Sequence, residues 1–183
     1  RWSVTDQDGR YEFAGLPAGA YTVSVNKTGY VPLLYGQTRR TQRGRVVRLT
    51  GAQSVENVNI AVPRGGVIVV RLTDRFGDPL SGYRVAGYQH RIVEGRRRLT
   101  EVAGDRMHTT DDRGEIRLSG LWPGEYYIGA LSALTPANAT RIRAPQTFYP
   151  GTASELEAQP VTIGTGEEVT AAFQLANPRL SRV

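Results

Sequence analysis

The sequence predicts an all-β fold made of two tandem antiparallel β-sandwiches of roughly seven strands each, the first lacking its N-terminal strands. Three observations carry this prediction: alternation of apolar and polar residues, closely spaced turn signals, and an internal repeat. Alternation with a period of two places one face of a strand on a core and the other in water. No stretch keeps a helical apolar period for more than about two turns, so long helices are not expected.

The repeat divides the chain into two copies of one domain. Residues 5–21 return as residues 110–126 without a gap, at a constant offset of 105 residues (110 minus 5). Self-similarity at such a long spacing indicates two domains rather than a solenoid. We therefore predict an incomplete sandwich repeat at residues 1–63 and a complete repeat with a C-terminal tail at residues 64–183.

In the first copy, strands are expected at four places along the chain: residues 10–13, 21–25, 46–49 and 55–62. The first two are joined by a turn at residues 15–19, where proline restricts φ and glycine relieves steric crowding. Asp8-Gly9 precedes the first strand, and its glycine supplies the positive φ that a tight hairpin requires. The predicted core of this copy consists of Tyr21, Val23, Val25, Val58 and Ile60.

In the second copy, seven strands are expected: residues 67–73, 84–90, 99–102, 115–118, 126–130, 161–163 and 169–175. Tyr35 and Tyr149 head matching segments at an offset of 114 residues (149 minus 35), so this copy has gained nine residues, near positions 132–143. Added loops are places where ligand contacts concentrate on a scaffold. The predicted core consists of Ile68, Val70, Ile116, Leu118, Ile128 and Phe173.

The first copy lacks a counterpart of residues 66–105, because Arg1 corresponds to Arg106. Without those strands, the apolar face of its sheet and its strand edges are expected to be open. We expect strands from elsewhere to complete it, either from residues preceding Arg1 or from a neighbouring subunit as in donor-strand complementation. The second alternative predicts self-association into a filament, with the tail at residues 176–183 or the face of the second domain as donor.

Composition excludes several classes of protein. Apolar residues make up 39% of the chain and charged residues 22%, which suits packed cores rather than disorder. Cysteine is absent, which excludes a disulfide framework and thiolate metal sites. The longest strongly aliphatic run, residues 67–70, is far shorter than the ~20 residues that span a bilayer, so no membrane span is predicted.

The net charge of +6 rests almost wholly on arginine, since Lys27 is the only lysine. Guanidinium groups pair well with phosphate and carboxylate, so one interpretation is attraction to an anionic polymer. The arginines are scattered rather than arranged in a stripe, which favours the codon bias of a GC-rich genome. No nucleic-acid partner is predicted.

No pattern in the sequence predicts catalysis, a cofactor or a metal. His90 and His108 are the only histidines, and no motif for a metalloprotease, a nucleophile elbow or a phosphate-binding loop occurs. Asp6 and Asp8 precede a glycine as in a calcium loop, but the remaining ligands of such a loop are missing. The second copy places Arg113 where a ligand is required, so turn chemistry is the preferred interpretation.

Two groups of residues are candidate ligand contacts. Arg96, Arg97 and Arg98 follow Glu94-Gly95 at an expected hairpin tip, where they form either a solvated loop or an anion site. Three aromatic residues close to the inserted loop could stack on sugars: Trp122, Phe148 and Tyr149. Packing is the alternative for them, since Trp122 belongs to the repeated turn and Tyr149 repeats Tyr35.

The repeated motif resembles that of carboxypeptidase regulatory-like domains, which are transthyretin-like, immunoglobulin-like sandwiches grouped with starch-binding-like folds. The resemblance covers residues 5–21 and 110–126, together with the strand and turn at residues 67–80. It implies a non-catalytic spacer, stabilising or assembly module of an extracellular or cell-surface protein, similar to tandem copies in large bacterial surface proteins. A carbohydrate-binding module is the alternative, and a glycan is then the partner.

Overall fold

A computed structural model describes residues 1–51, 53–103, 109–132 and 147–175. Within these ranges the chain forms twelve strands and no helix, which confirms the all-β prediction. No element in the described ranges is a helix long and apolar enough to cross a membrane. Most of the predicted inserted loop at residues 132–143, His108 and the tail at residues 176–183 lie outside the described residues.

The chain divides into two compact units. The first unit comprises Arg1–Asn26 and Pro32–Val62, and the second comprises Lys27–Val31 and Pro63–Val183. The short segment Lys27–Val31 belongs to the second unit because the Val31 amide donates to the Pro63 carbonyl over 3.0 Å and Tyr30 bridges Arg64. This exchange of five residues is not visible in the sequence pattern, which predicts a single boundary after residue 63.

The first unit contains four short strands: β1 (Gly19–Thr22), β2 (Ser24–Val25), β3 (Leu33–Leu34) and β4 (Val46–Leu49). Strand β1 pairs with β4 and β2 pairs with β3, both antiparallel. The predicted strand at residues 21–25 is therefore divided at Val23 between two small sheets. The strands predicted at residues 10–13 and 55–62 are wrong, because neither segment has ladder pairing and Asn57 has a left-handed φ of 61°.

The second unit contains eight strands: β5 (Gly66–Thr73), β6 (Tyr83–Val93), β7 (Arg96–Ala103), β8 (Glu115–Leu121), β9 (Gly124–Ser132), β10 (Thr147–Phe148), β11 (Pro160–Ile163) and β12 (Glu168–Gln174). A five-stranded sheet has the order β10-β9-β6-β7, with β11 also paired to β9. A three-stranded sheet has the order β12-β5-β8, so β5 is its central strand. All pairs are antiparallel except β12 with β5, which is parallel.

Both sheets of the second unit contribute to one buried cluster. The six residues predicted for this core are all buried, with exposed fractions between 0% and 8%. Further members come from strands of both sheets: Leu72, Val85, Leu121, Tyr126, Ala130, Val161, Ile163 and Ala171. That two tandem sandwiches describe the whole chain stays a prediction.

The residues predicted for the core of the first unit are less buried than expected. Tyr21, Val23, Val25, Val58 and Ile60 are only half-buried, and Leu33 is the one fully buried hydrophobic residue among those described in this unit. Alternation places these side chains on one face of the chain, but burial requires a second layer of structure to cover that face. The first unit has two-stranded sheets and no such layer.

The repeated motif nevertheless has the same local structure in both copies. Asp6 Oδ1 accepts hydrogen bonds from the backbone amides of Asp8 and Arg10, over 3.0 and 2.8 Å. In the second copy, Asp111 Oδ1 accepts hydrogen bonds from the amides of Arg113 and Glu115, also over 3.0 and 2.8 Å. Tyr21 donates its hydroxyl to a carbonyl four residues earlier, as does Tyr126. Such aspartate turns depend on neighbours in sequence, so they form whether or not the surrounding sheet is complete.

Candidate functional site

A groove of about 700 Å³ lies open in the first unit. One wall is formed by residues 8–16, which include the strand expected at 10–13, and the other by residues 53–59, which overlap the strand expected at 55–62. Side chains of β1, β4 and their surroundings also line it: Tyr21, Val23, Val47 and Leu49. The groove is therefore bordered on both sides by backbone without ladder pairing, and the Arg1 guanidinium donates to the carbonyls of Ala14 and Gly15 over 2.7 and 3.1 Å.

The repeat shows what the groove is missing. In the second unit, β8 is the counterpart of residues 10–16 at the offset of 105, and it pairs along its length with β5. Strand β12, which follows β11 as residues 53–59 follow β4, pairs with the other edge of β5. At this offset the counterpart of β5 would precede Arg1, and no described residue forms a ladder with either wall.

The surroundings of two equivalent glycines differ in the same way between the two units. Gly9 and Gly114 occupy the same turn position, with φ of 78° and 70°. A Cβ atom on Gly114 would collide with the Leu72 carbonyl oxygen of β5, whereas a Cβ atom on Gly9 would meet nothing within 4 Å. No described atom therefore lies beside Gly9 at the place that the end of β5 takes beside Gly114.

Equivalent side chains differ in burial for the same reason. Ile116 and Leu118 of β8 are 8% and 4% exposed, while their counterparts Tyr11 and Phe13 are half-buried. The rings of Tyr11 and Phe13 contact each other edge to face, with centroids 5.8 Å apart. The groove wall therefore carries an aromatic pair whose side chains are partly exposed to solvent.

Among the described residues, one hydrogen bond joins the two walls of the groove. The Tyr11 hydroxyl donates to the Val58 carbonyl on the opposite wall over 2.5 Å. Two walls that flank one strand are separated by about 9.6 Å, twice the usual strand spacing, which a tyrosine side chain and one hydrogen bond can bridge. Burial raises the pKa of the Tyr11 phenol, and the nearby Tyr35 raises it further.

The charges on the rim of the groove are reversed relative to the second unit. In β8, Glu115 pairs with Arg71 of β5 over 2.7 Å, and Arg117 pairs with Glu168 of β12 over 2.7 Å. The hydrogen bond from Arg117 lowers the pKa of Glu168. At the positions of Glu115 and Arg117 the first unit has a base and then an acid, Arg10 and Glu12.

The aromatic residues predicted as sugar contacts lie in the second unit. Phe148 is 3% exposed and contacts Tyr88 edge to face, and Tyr149 contacts Phe173 in the same way, each with centroids 6.0 Å apart. Trp122 is half-buried, and no ring contact among the described residues joins it to either of them. A sugar-stacking role for the three residues stays a prediction.

Arg96, Arg97 and Arg98 begin β7 directly after the turn at Glu94-Gly95, as expected, and all three are exposed. Within the described part of the chain these arginines form no salt bridge. Partial burial lowers the pKa of the neighbouring His90, Arg97 lowers it further, and Glu155 opposes the change. An anion site at this tip also stays a prediction.

The acidic residues considered for calcium serve the turn instead. Asp6 Oδ1 is occupied by two backbone amides, and Asp8 pairs with Arg10 over 3.5 Å. No group of three or more metal-ligating side chains occurs among the described residues. The groove is lined by apolar and polar residues in similar measure, so it offers both apolar contacts and hydrogen-bonding groups.

Sequence reasoning predicted an open face in the first unit but not the residues that define the groove. Gly9 was assigned only a turn, and Tyr11 only a strand. The useful signal was the gapless alignment, since it sets Gly9 against Gly114 and the Arg10, Glu12 pair against its reversed counterpart.

No protein-family model matches this sequence. No curated protein is significantly similar to it. The resemblance to carboxypeptidase regulatory-like domains stays a prediction that depends on the repeated motif alone.

Proposed function

We propose that this chain is a non-catalytic structural module of an extracellular or cell-surface assembly, and that its first unit accepts a β-strand from a neighbouring protein chain. The observation that supports this proposal is the groove between residues 8–16 and residues 53–59. In the second unit, the strand between the two equivalent walls is β5, which carries the central part of the core.

A strand suits this groove because neither wall has a ladder partner among the described residues. Main-chain hydrogen bonds supply affinity in strand addition, and pockets for alternate side chains supply specificity. In the second unit the Leu72 amide of β5 donates to the Gly114 carbonyl over 2.9 Å, and the Gly9 carbonyl is the equivalent acceptor. An inserted strand would also cover Tyr11 and Phe13, and burial of apolar area contributes about 25 cal/mol per Å².

The structural role follows from what strand exchange does. When a strand of one chain is inserted into the first unit of another, the two chains share a continuous β-sheet. Modules linked in this way can act as spacers or as subunits of a filament. The resemblance to domains of large surface proteins supports an extracellular place for such an assembly. Carbohydrate binding stays an alternative prediction, and its predicted aromatic contacts lie in the second unit.

The test is direct binding of a donor strand. The sequence of β5, with Arg71→Gln to keep it neutral, is fused to a soluble carrier and titrated into the chain by calorimetry. We expect saturable one-to-one binding, with hydrogen exchange slowing at residues 8–16 and 53–59. A scrambled version of the same eight residues is the ligand control.

A matched pair of variants locates the binding. Gly9→Ala adds a methyl group where the groove is empty, and the equivalent methyl on Gly114 would meet the β5 backbone, so this variant should fold but lose binding. Gly77→Ala carries the same left-handed penalty, at φ 91°, in a similar aspartate turn outside the groove, and should bind normally. No binding to the unaltered chain, or equal binding to both variants, would overturn the proposal.

Light scattering distinguishes the source of the strand. Concentration-dependent polymers of the chain alone, capped by the carrier-fused strand, would show that copies of the chain complete each other. A monomer that binds the fused strand would exclude completion by other copies of this chain.

A further inference from the structure

We infer that the groove selects its partner by charge: it fits a strand with a glycine, then two alternate apolar residues, then an acidic residue, in the order Gly-x-apolar-x-apolar-acid. This inference rests on the proposed function and names the kind of segment that the groove accepts. The partner is an extended segment of another protein, and its register follows from the repeat.

The register is taken from the β5–β8 pair. Gly66 lies opposite Leu121, Ile68 opposite Leu118, Val70 opposite Ile116 and Arg71 opposite Glu115. At the offset of 105, an incoming strand therefore sets four residues in turn against the following positions of the first unit: Leu16, Phe13, Tyr11 and Arg10.

The first position requires glycine because the space beside it is small. A Cβ atom on Gly66 would collide with the side chain of Ile163 and lie 2.9 Å from the Gly164 carbonyl oxygen. The counterpart of Ile163 at the offset of 114 is Leu49, which lines the groove. A larger residue at the start of the strand would be stopped by this leucine.

The two apolar positions face the aromatic pair. Ile68 and Val70, which occupy them in the second unit, are both 0% exposed. Directly opposed side chains of an antiparallel pair lie about 4.5–5.5 Å apart at Cβ, so the incoming residues contact Phe13 and Tyr11. The Tyr11 hydroxyl must release the Val58 carbonyl for the strand to pair with that wall.

The acidic position is the new element. In the second unit a base on β5 meets an acid on β8, since Arg71 Nε lies 2.7 Å from Glu115 Oε1. The first unit has Arg10 in place of Glu115, and its guanidinium has only a weak partner, Asp8 at 3.5 Å with both side chains at least 70% exposed. Like charges directly opposite one another destabilise a strand pair, and opposite charges stabilise it.

The chain itself contains no segment of this pattern. Glycine occurs 21 times, and in no case is it followed by apolar residues at the second and fourth positions and an acid at the fifth. Strand β5 of another copy would set Arg71 against Arg10. The charge reversal therefore disfavours insertion of β5 from another copy of this chain.

The experiment compares three carrier-fused strands that differ only at position 71: the original Arg71, Arg71→Gln and Arg71→Glu. We expect affinity to rise in that order, by about tenfold from the first to the last at low salt, and the difference to shrink at high salt. Arg10→Glu in the chain should reverse the order. Arg48→Glu makes the same charge change on β4, away from the groove lining, and should leave the order unchanged.

The possible outcomes distinguish failure of the charge rule from failure of the proposed function. If all three strands bind equally, or Arg10→Glu leaves the order unchanged, the charge rule is wrong while strand acceptance stands. If none of the three binds, the proposed function fails and the charge rule fails with it.

Discussion

The sharpest prediction compares one substitution in two equivalent places. Gly9→Ala and Gly114→Ala change the same position of the repeated turn, at nearly the same positive φ. An alanine in this left-handed region costs about 1–2 kcal/mol relative to glycine. Both variants carry that cost, so any difference between them reports on the neighbouring structure alone.

The difference can be worked out from the contacts of Gly114. Its new methyl group would collide with the Leu72 carbonyl oxygen and lie 3.0 Å from the Leu80 amide nitrogen. To make room, the end of β5 must shift and weaken two hydrogen bonds, Leu72 amide to Gly114 carbonyl at 2.9 Å and Leu80 amide to Leu72 carbonyl at 3.0 Å. Each such bond contributes about 1 kcal/mol, so Gly114→Ala should cost about 2 kcal/mol more than Gly9→Ala.

Hydrogen exchange measured by mass spectrometry gives the stability of each unit within the same molecule. An extra loss of about 2 kcal/mol corresponds to roughly thirtyfold faster exchange in β8 of Gly114→Ala than the turn cost alone produces. Amides of β4 should respond to Gly9→Ala only by the smaller amount. Equal losses of stability in the two units would refute the claim that the first unit has an empty strand position.

Three further predictions follow from the same comparison between copies. Leu118→Ala should destabilise the second unit by about 2–5 kcal/mol in urea unfolding, whereas Phe13→Ala should cost the first unit clearly less, because Phe13 is only half-buried. Asp6→Ala and Asp111→Ala should each cost about 1–2 kcal/mol, with similar values in the two units, because each carboxylate accepts two amides in both. The bond from neutral Tyr11 to Val58 should stabilise the first unit below about pH 10 and be lost as the pH rises through the raised pKa of Tyr11. Protection from hydrogen exchange, measured relative to the intrinsic rate at each pH, should therefore fall there in the unaltered chain and stay constant in Tyr11→Phe.

Turn positions were well predicted because their causes are local. Asp111 and Gly114 lie three residues apart, and the hydrogen bonds and positive φ that define the turn need only those neighbours. The motif therefore folds alike in both copies. The core of the second unit was also predictable, since alternation in β5 and β8 marks which side chains face inward.

Local sequence and alternation could not show whether residues 10–13 and 55–62 form strands. Their alternation resembles that of β8 and β12, yet a strand exists only when a neighbour supplies hydrogen-bonding partners along its edge. The sequence alone determined an all-β chain, the repeated turns and which faces are apolar. Only the tertiary structure decided which apolar faces are covered, because burial in the second unit depends on β5, a strand distant in sequence from β8 and β12, and no described residue takes its place in the first unit.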